Sequence, residues 1–306
     1  MQNHYNLISE NKTRSWIIMG VFVLFITLST YAMSVAFGYG LDTVGVALIF
    51  SGLTSFASYW FSDKIILSMS GAREAKRDEY FDFYTTVENL CIGQSIPMPK
   101  LYVIQDSAMN AFATGRDPDH AVVCATTGLL SRLDRSEIEG VVAHELAHVQ
   151  NYDIRLLSIV TVLVGFIALL ADWMLRMSFF GNNKQSDDNR APAQFQVFFI
   201  VVGIALAFLA PIVANLIKLA VSRRREFLAD ATGVSMTKNP EGLIRALEKI
   251  SRDHEPLEAA NKATAHLYIA DPLRFRSDAV GWFAGLFQTH PPVEERIAAL
   301  RGHTAA

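Results

Sequence analysis

With 306 residues, 51% of them hydrophobic and 19% charged, and a mean hydropathy of +0.24, the chain is too apolar for an ordinary soluble domain of its size and reads as an integral membrane protein. Its formal net charge of -3 says little about partners, and no basic patch interleaved with aromatic residues points to nucleic acid. Cys91 and Cys124 stand outside any CxxC or metal-like spacing, on the side expected to be reducing, which favours free thiols over a disulfide.

In chain order, four runs are long enough to cross a bilayer: 16–36, 43–61, 156–175 and 195–217. The first two carry no charge, the third meets only Asp172, and the fourth is interrupted by Pro211 and Asn215. Lys12 and Arg14 precede the first run as in a secretory signal, but the apolar stretch is too long and lacks a small-residue cleavage site, so it is expected to remain as an anchor. Between the second and third runs, Tyr80, Phe83, Val87, Leu90 and Cys91 recur at helical spacing and predict a helix over 71–92, stopped by Pro97 and Pro99. Short β-like runs at 101–104, 111–114 and 121–125 predict a small sheet. A helix over 135–149 follows, opened by the capping-box pair Asp134 and Glu137 and lined by Val141, Val142, Leu146 and Val149. Residues 180–192 are polar and read as an exposed loop. Asn239-Pro240-Glu241 opens a helix through residue 251, and His290-Pro291-Pro292 precedes a last one ending near Arg301.

Lys and Arg concentrate in the amino-terminal tail and in residues 62–155 and 222–306; the turn after the first run holds none, and residues 176–194 hold only Arg176, Lys184 and Arg190. Because retained loops carry the positive excess, both ends and the 135–149 helix are expected in the cytoplasm, with Arg223, Arg224 and Arg225 beside the fourth run as the strongest marker.

The 135–149 helix carries His144-Glu145-Leu146-Ala147-His148. Side chains at i and i+4 share a helix face, so both imidazoles can reach one metal ion with Glu145 beside its water, the pattern of a zinc site with its own general base. The bland alternative is a pair of satisfied core or surface histidines. Catalytic zinc usually has three protein ligands and an open position, and the candidate third ligand is Glu226, in Ser222-Arg223-Arg224-Arg225-Glu226-Phe227-Leu228-Ala229-Asp230. Asp230, four residues on, is placed to accept a hydrogen bond from a ligating imidazole and fix its tautomer. On the residues alone, a solvated i,i+4 acidic pair at a membrane surface competes with that reading. Asn110, Ala111 and Phe112 open a run through Gly115 that is either an edge strand for an extended substrate or an ordinary core strand. An oxyanion partner is also needed; Arg223, His266, Tyr268 and His290 are all chemically suited, and sequence does not choose among them.

His144 to His148, the 222–230 segment, Asn110-Ala111-Phe112-Ala113-Thr114-Gly115 and Thr289-His290-Pro291-Pro292-Val293-Glu294-Glu295-Arg296 together resemble the HtpX group of membrane-bound zinc metalloproteases, within the gluzincins, over nearly the whole chain. The resemblance implies a mainly helical α+β fold: four transmembrane helices plus a cytoplasmic zincin-like (minigluzincin) catalytic domain with a small β-sheet. Its parts are expected at 1–62 (tail and membrane hairpin), 63–155 (first catalytic part), 156–220 (second hairpin) and 221–306 (second catalytic part). The resemblance further implies one zinc per chain on His144, His148 and Glu226, with Glu145 catalytic. It also implies a cytoplasm-facing endopeptidase, multi-pass in a bacterial inner membrane, that degrades damaged or unassembled membrane proteins. Expected partners are membrane and soluble polypeptide substrates and the lipid bilayer, with no nucleic acid.

Three other classes compete. A processing peptidase of the kind that trims prenylated peptides belongs to the same wider group, but four spans imply no large apolar chamber. A transporter or receptor with structural zinc would more often close the site with four Cys or His ligands, and neither cysteine lies near the histidines in sequence. Intramembrane proteolysis would put the motif inside a span, whereas it stands about seven residues before one.

Overall fold

A computed structural model of the chain describes residues 4–37, 40–180, 223–257, 267–269 and 291–304. Helices α1 (His4–Phe37) and α2 (Leu41–Trp60) carry the first two expected spans, and their segments Ser9–Leu28 and Asp42–Trp60 are long and apolar enough to cross a membrane. Ile17, Val21, Leu24, Leu53 and Phe56 point outward from this pair, large, apolar and exposed. A continuous surface of that kind is suited to lipid and not to water.

After α3 (Ser62–Met69), residues 73–74 form a short strand, β1 (Arg73–Glu74), which pairs antiparallel with Tyr102 and Val103. The helix expected over 71–92 therefore begins only at Phe81, as α4 (Phe81–Gln94). The apolar positions that suggested it all lie at Tyr80 or beyond, so the residues before them had no helical face to bury. Ser95, left-handed at φ 54°, closes α4 two residues before Pro97.

The expected strands are present as β2 (Lys100–Ile104), β3 (Ala111–Gly115) and β4 (Ala121–Thr126). With β1 they make a four-stranded sheet in the order β1-β2-β4-β3. β2 and β4 run parallel while β3 runs antiparallel to β4, with Ala111 opposite Ala125, which leaves β3 at the sheet edge. Its alternate residues serve two cores. Ala111 and Ala113 face the main core with Val141, Val142 and Leu146, and Phe112 faces a second cluster with Ile66, Cys124 and Tyr268.

Helix α5 (Thr127–Arg132) leads into α6 (Arg135–Gln150), on which the rest of the domain is assembled. The expected capping box is formed: Glu137 N donates to Asp134 Oδ1 at 2.9 Å, and Asp134 N donates to Glu137 Oε2 at 2.8 Å. Glu137 is buried and also receives Lys249 Nζ at 2.7 Å, so the cap ties α6 to its neighbour. A turn at Asn151 and Tyr152, the latter left-handed at φ 60°, sends the chain into α7 (Asp153–Phe180) at 85° to α6. The third expected span falls within α7, whose Phe166 ring lies 6.4 Å from Phe22 and 5.6 Å from Phe50 between centroids. The fourth, at 195–217, and the polar loop from residue 181 lie outside the described residues.

Helices α8 (Arg223–Thr237) and α9 (Pro240–Ser251) pack on α6, and α10 (Val293–Thr304) closes the far side against α9 and α8. Both crossings on α6 are made at glycines. A Cβ on Gly233 would stand 3.0 Å from His144 N, and one on Gly140 would stand 2.6 Å from Leu243 N and 2.7 Å from its Cα. The atoms in the way are backbone and cannot swing aside. Gly140→Val is therefore expected to destabilise the protein by about 1–3 kcal/mol through overpacking. Gly93→Ala, where a Cβ meets nothing within 4 Å, should be neutral or slightly stabilising. Denaturant titration of the detergent-solubilised chain compares the two, and equal stability would refute the crossing argument.

Candidate active site

His144 and His148 stand one turn apart on α6 with their rings edge to face, 4.8 Å between centroids, and Glu226 approaches from the first turn of α8. All three are buried. His144 Nε2 lies 3.3 Å from His148 Nε2 and 3.7 Å from Glu226 Oε2; His148 Nε2 lies 3.6 Å from Glu226 Oε1. Taking one ligand atom from each residue, all three lie within 4.8 Å of one another, with one carboxylate oxygen turned to each imidazole, close enough for a single ion to draw them to the roughly 3.3–3.4 Å spacing of a tetrahedral zinc site.

The tautomers point the same way. His144 Nδ1 donates to Asp230 Oδ1 at 2.9 Å and His148 Nδ1 donates to Asp153 Oδ2 at 3.1 Å, because a carboxylate can only accept. Neutral imidazoles so held turn both Nε2 lone pairs toward each other in a dry site, an arrangement that needs a proton or a metal cation between them.

Each carboxylate behind the imidazoles is itself held. Arg296, on α10 and fully buried, grips Asp230 with two parallel bonds, Nη2 to Oδ1 at 2.6 Å and Nε to Oδ2 at 2.9 Å. Asp153, the first residue of α7, receives Arg225 Nη1 at 3.3 Å and Asn11 Nδ2 at 2.7 Å on Oδ1. Asn11 is on α1, is 1% exposed, and also donates to Asn151 O at 2.8 Å. The first membrane helix thus reaches the group that orients a metal-ligand candidate.

Charge bookkeeping agrees. Glu145, Asp153, Glu226 and Asp230 are four buried carboxylates against two buried guanidinium groups, Arg225 and Arg296. A divalent cation cancels the remaining two negative charges. Burial alone would lower the pKa of His148. The hydrogen bond to Asp153 and the charges of Glu226, Asp153 and Glu145 outweigh it and raise the value to about 9 without metal. Burial opposes ionisation of Asp230 too, yet Arg296 and His144 hold its carboxyl well below the usual carboxylate range.

Of the residues singled out from the sequence, His144, Glu145, His148, Glu226 and Asp230 are brought together. Asn110 and Ala111 are buried at the start of β3, whereas the Phe112 ring lies away from the ligand triangle, edge-on to Tyr268 at 5.1 Å between centroids. Tyr268 is therefore a core residue of the second cluster. Arg223 is exposed at the start of α8. His266 and His290 lie outside the described residues. Asn11, Asp153 and Arg296 were not singled out by sequence reasoning. Asp153 could have been suspected as an acid five residues past His148 at the mouth of an apolar run, and Arg296 as the charge ending the 289–296 motif. Nothing local marks Asn11.

Comparison with known proteins places this geometry in a family. Residues 82–304 match the model of Peptidase family M48. The chain is 42% identical over 297 residues to a Protease HtpX homolog of Dictyoglomus thermophilum, covering 97% of this chain and 94% of that one. It is 39% identical over 304 residues to one of Thermoanaerobacter pseudethanolicus, covering 98% of each. The crystal structure of S. mikatae Ste24p aligns over 97% of this chain and 67% of that chain, with TM-score 0.49 and 19% identity. The chain belongs to peptidase family M48 and is a membrane-associated metallopeptidase of the HtpX type.

Proposed function

We propose that the chain is a zinc-dependent endopeptidase with His144, His148 and Glu226 as metal ligands and Glu145 as the general base. The observation that carries this reading is the ligand triangle, with both imidazole Nδ1 atoms held by carboxylates and both Nε2 atoms turned inward. A zinc ion bound there supplies Lewis-acid polarisation of the scissile carbonyl and makes an attacking water acidic at neutral pH. Glu145, one residue after His144 and buried beside the ligands, takes the water's proton and passes it to the leaving amine.

The outer edge of β3 is the proposed seat for the substrate backbone. Ile269 N donates to Ala111 O at 3.0 Å, and Gly115 N donates to Ser158 Oγ at 3.1 Å, so odd-numbered residues turn their polar groups away from β4. By this alternation Ala113, between them, turns its N–H and C=O toward the same outer edge, the register an added strand would use. Main-chain pairing of that kind accepts many sequences, as a degradative protease requires.

The finer biology is proposed as follows: four spans, active site and termini in the cytoplasm, a bacterial inner membrane, and damaged or misassembled membrane proteins as substrates. Lys and Arg excess in the segments flanking the spans supports the orientation. The direct join of α6 to α7 supports a site working close to the bilayer surface.

Purified full-length chain in detergent should contain one zinc and cleave casein in a chelator-sensitive way. Glu145→Gln should keep the metal and lose about 10²-fold or more of the rate, whereas His148→Ala or Glu226→Ala should lose the metal. Cleavage by Glu145→Gln at the wild-type rate would refute the assignment. In chelator competition, Asp153→Asn should bind zinc about 10–100-fold more weakly, and Asn11→Leu should shift in the same direction by less. Unchanged zinc affinity in Asp153→Asn would show that the second carboxylate does not orient His148.

A further inference from the structure

Arg155 is the exception among the buried arginines. Arg225 and Arg296 are each paired with an aspartate, but Arg155, 6% exposed, pairs with no carboxylate among the described residues, and its Nε has no hydrogen-bond partner. A buried guanidinium without an anion is costly. The contacts it does make are aromatic: its Cζ lies 4.8 Å from the Tyr59 ring centroid and 5.8 Å from that of Trp16. Those two rings stack on each other at 5.7 Å, joining α1 to α2. Lys12, one turn before Trp16, lies 4.4 Å over the Tyr152 ring and has no ion-pair partner among the described residues. The nearby Asp117 is taken up by Arg116 and His120.

The same aromatic pair heads an apolar groove of about 810 Å³ running along α1 and α2. Gly20 and Gly52 line its length, and a Cβ on either would meet nothing within 4 Å. Trp16 begins the uncharged part of the first span and Trp60 ends the second, so the aromatic cluster is at the level where a bilayer's headgroups meet its chains. An apolar trough whose aromatic head is capped by Arg155, with Lys12 close by and neither cation paired with a carboxylate among the described residues, has the chemistry of one molecule: an anionic phospholipid, its phosphate at the cations and an acyl chain in the trough.

We propose that Arg155, Lys12 and the Trp16–Tyr59 pair bind the headgroup of one anionic phospholipid whose acyl chain occupies the α1–α2 groove. The site rests on the reading of α1 and α2 as membrane spans but not on the protease assignment, and its test uses no activity. Full-length protein in a neutral detergent is titrated with phosphatidylglycerol or phosphatidylcholine by native mass spectrometry. Quenching of tryptophan fluorescence by brominated acyl chains is followed in parallel, with a Trp16→Phe variant identifying the Trp16 contribution.

Wild type should hold one phosphatidylglycerol about tenfold or more in preference to phosphatidylcholine. Lys12→Gln/Arg155→Gln should lose the preference, and Gly20→Leu/Gly52→Leu should weaken both lipids and reduce quenching while the cations remain. Unchanged far-UV circular dichroism checks that each variant is folded, and the groove variant keeps the test open should loss of Arg155 unfold the chain. The proposal fails if wild type binds the two lipids equally, if the charge variant retains the preference, or if glycerol phosphate without acyl chains competes as well as the lipid.

Discussion

Two imidazoles with both Nδ1 atoms committed to carboxylates, and both Nε2 lone pairs turned toward one point, form the constraint on which the rest of the structure depends. Such an arrangement requires a cation at the shared point, a proton on His148 in the metal-free site or the metal ion itself, and the fold holds the ligand atoms around that point by other means. Helix α6 does this along its axis through the Asp134–Glu137 cap and the Lys249 bond. Across the axis, Gly233 lets α8 close to van der Waals distance from the backbone at His144, which brings Glu226 within 3.7 Å of that imidazole.

Metal affinity in such a site is then distributed over distant parts of the chain. Arg296 on α10 and Asp230 on α8 neutralise each other in a dry environment, which is favourable only because their geometry is bidentate and a third partner, His144, uses the remaining capacity of Oδ1. The second imidazole depends on Asp153 in the same manner, with Arg225 from α8 and Asn11 from α1 as its supports. Two outer carboxylates, each paired with its own cation, orient the imidazoles, while Glu145 and Glu226 keep the net negative charge that attracts a divalent ion.

What could be read from the sequence was what local spacing encodes. The i,i+4 histidines, the acid pair at Glu226 and Asp230, the capping box and the three β-runs all rest on periods of a few residues; the cap and the strands form as expected, and the histidines and acids lie on α6 and α8. The helix expected from residue 71 failed for the converse reason: its apolar period starts at Tyr80, and residues 73–74 are fixed by pairing with β2 about 30 positions away. Asn11 and Asp153 are separated by 142 residues and Arg296 and Asp230 by 66, so no window on the chain contains either pair. Phe112 belongs to this group too, since strand alternation shows that neighbours face opposite sides but not which side holds the metal.

Helix α1 joins an apolar, span-length segment to the proposed metal site in one element. Asn11 and Trp16 are five residues apart, so they project about 140° apart around the helix. One direction leads to Asp153 and the proposed metal ligands, the other to the aromatic cluster and the apolar groove. An asparagine buried near the start of a membrane span is expensive unless satisfied, and here its amide donates to both Asn151 O and Asp153 Oδ1, fixing the rotation of α1 about its axis. A generic apolar anchor has no such preferred rotation. Because the amide N–H groups are satisfied only when α1 meets the turn between α6 and α7, the first hairpin and α6 have to assemble together, which makes α1 a wall of the proposed metal site as well as an apolar anchor.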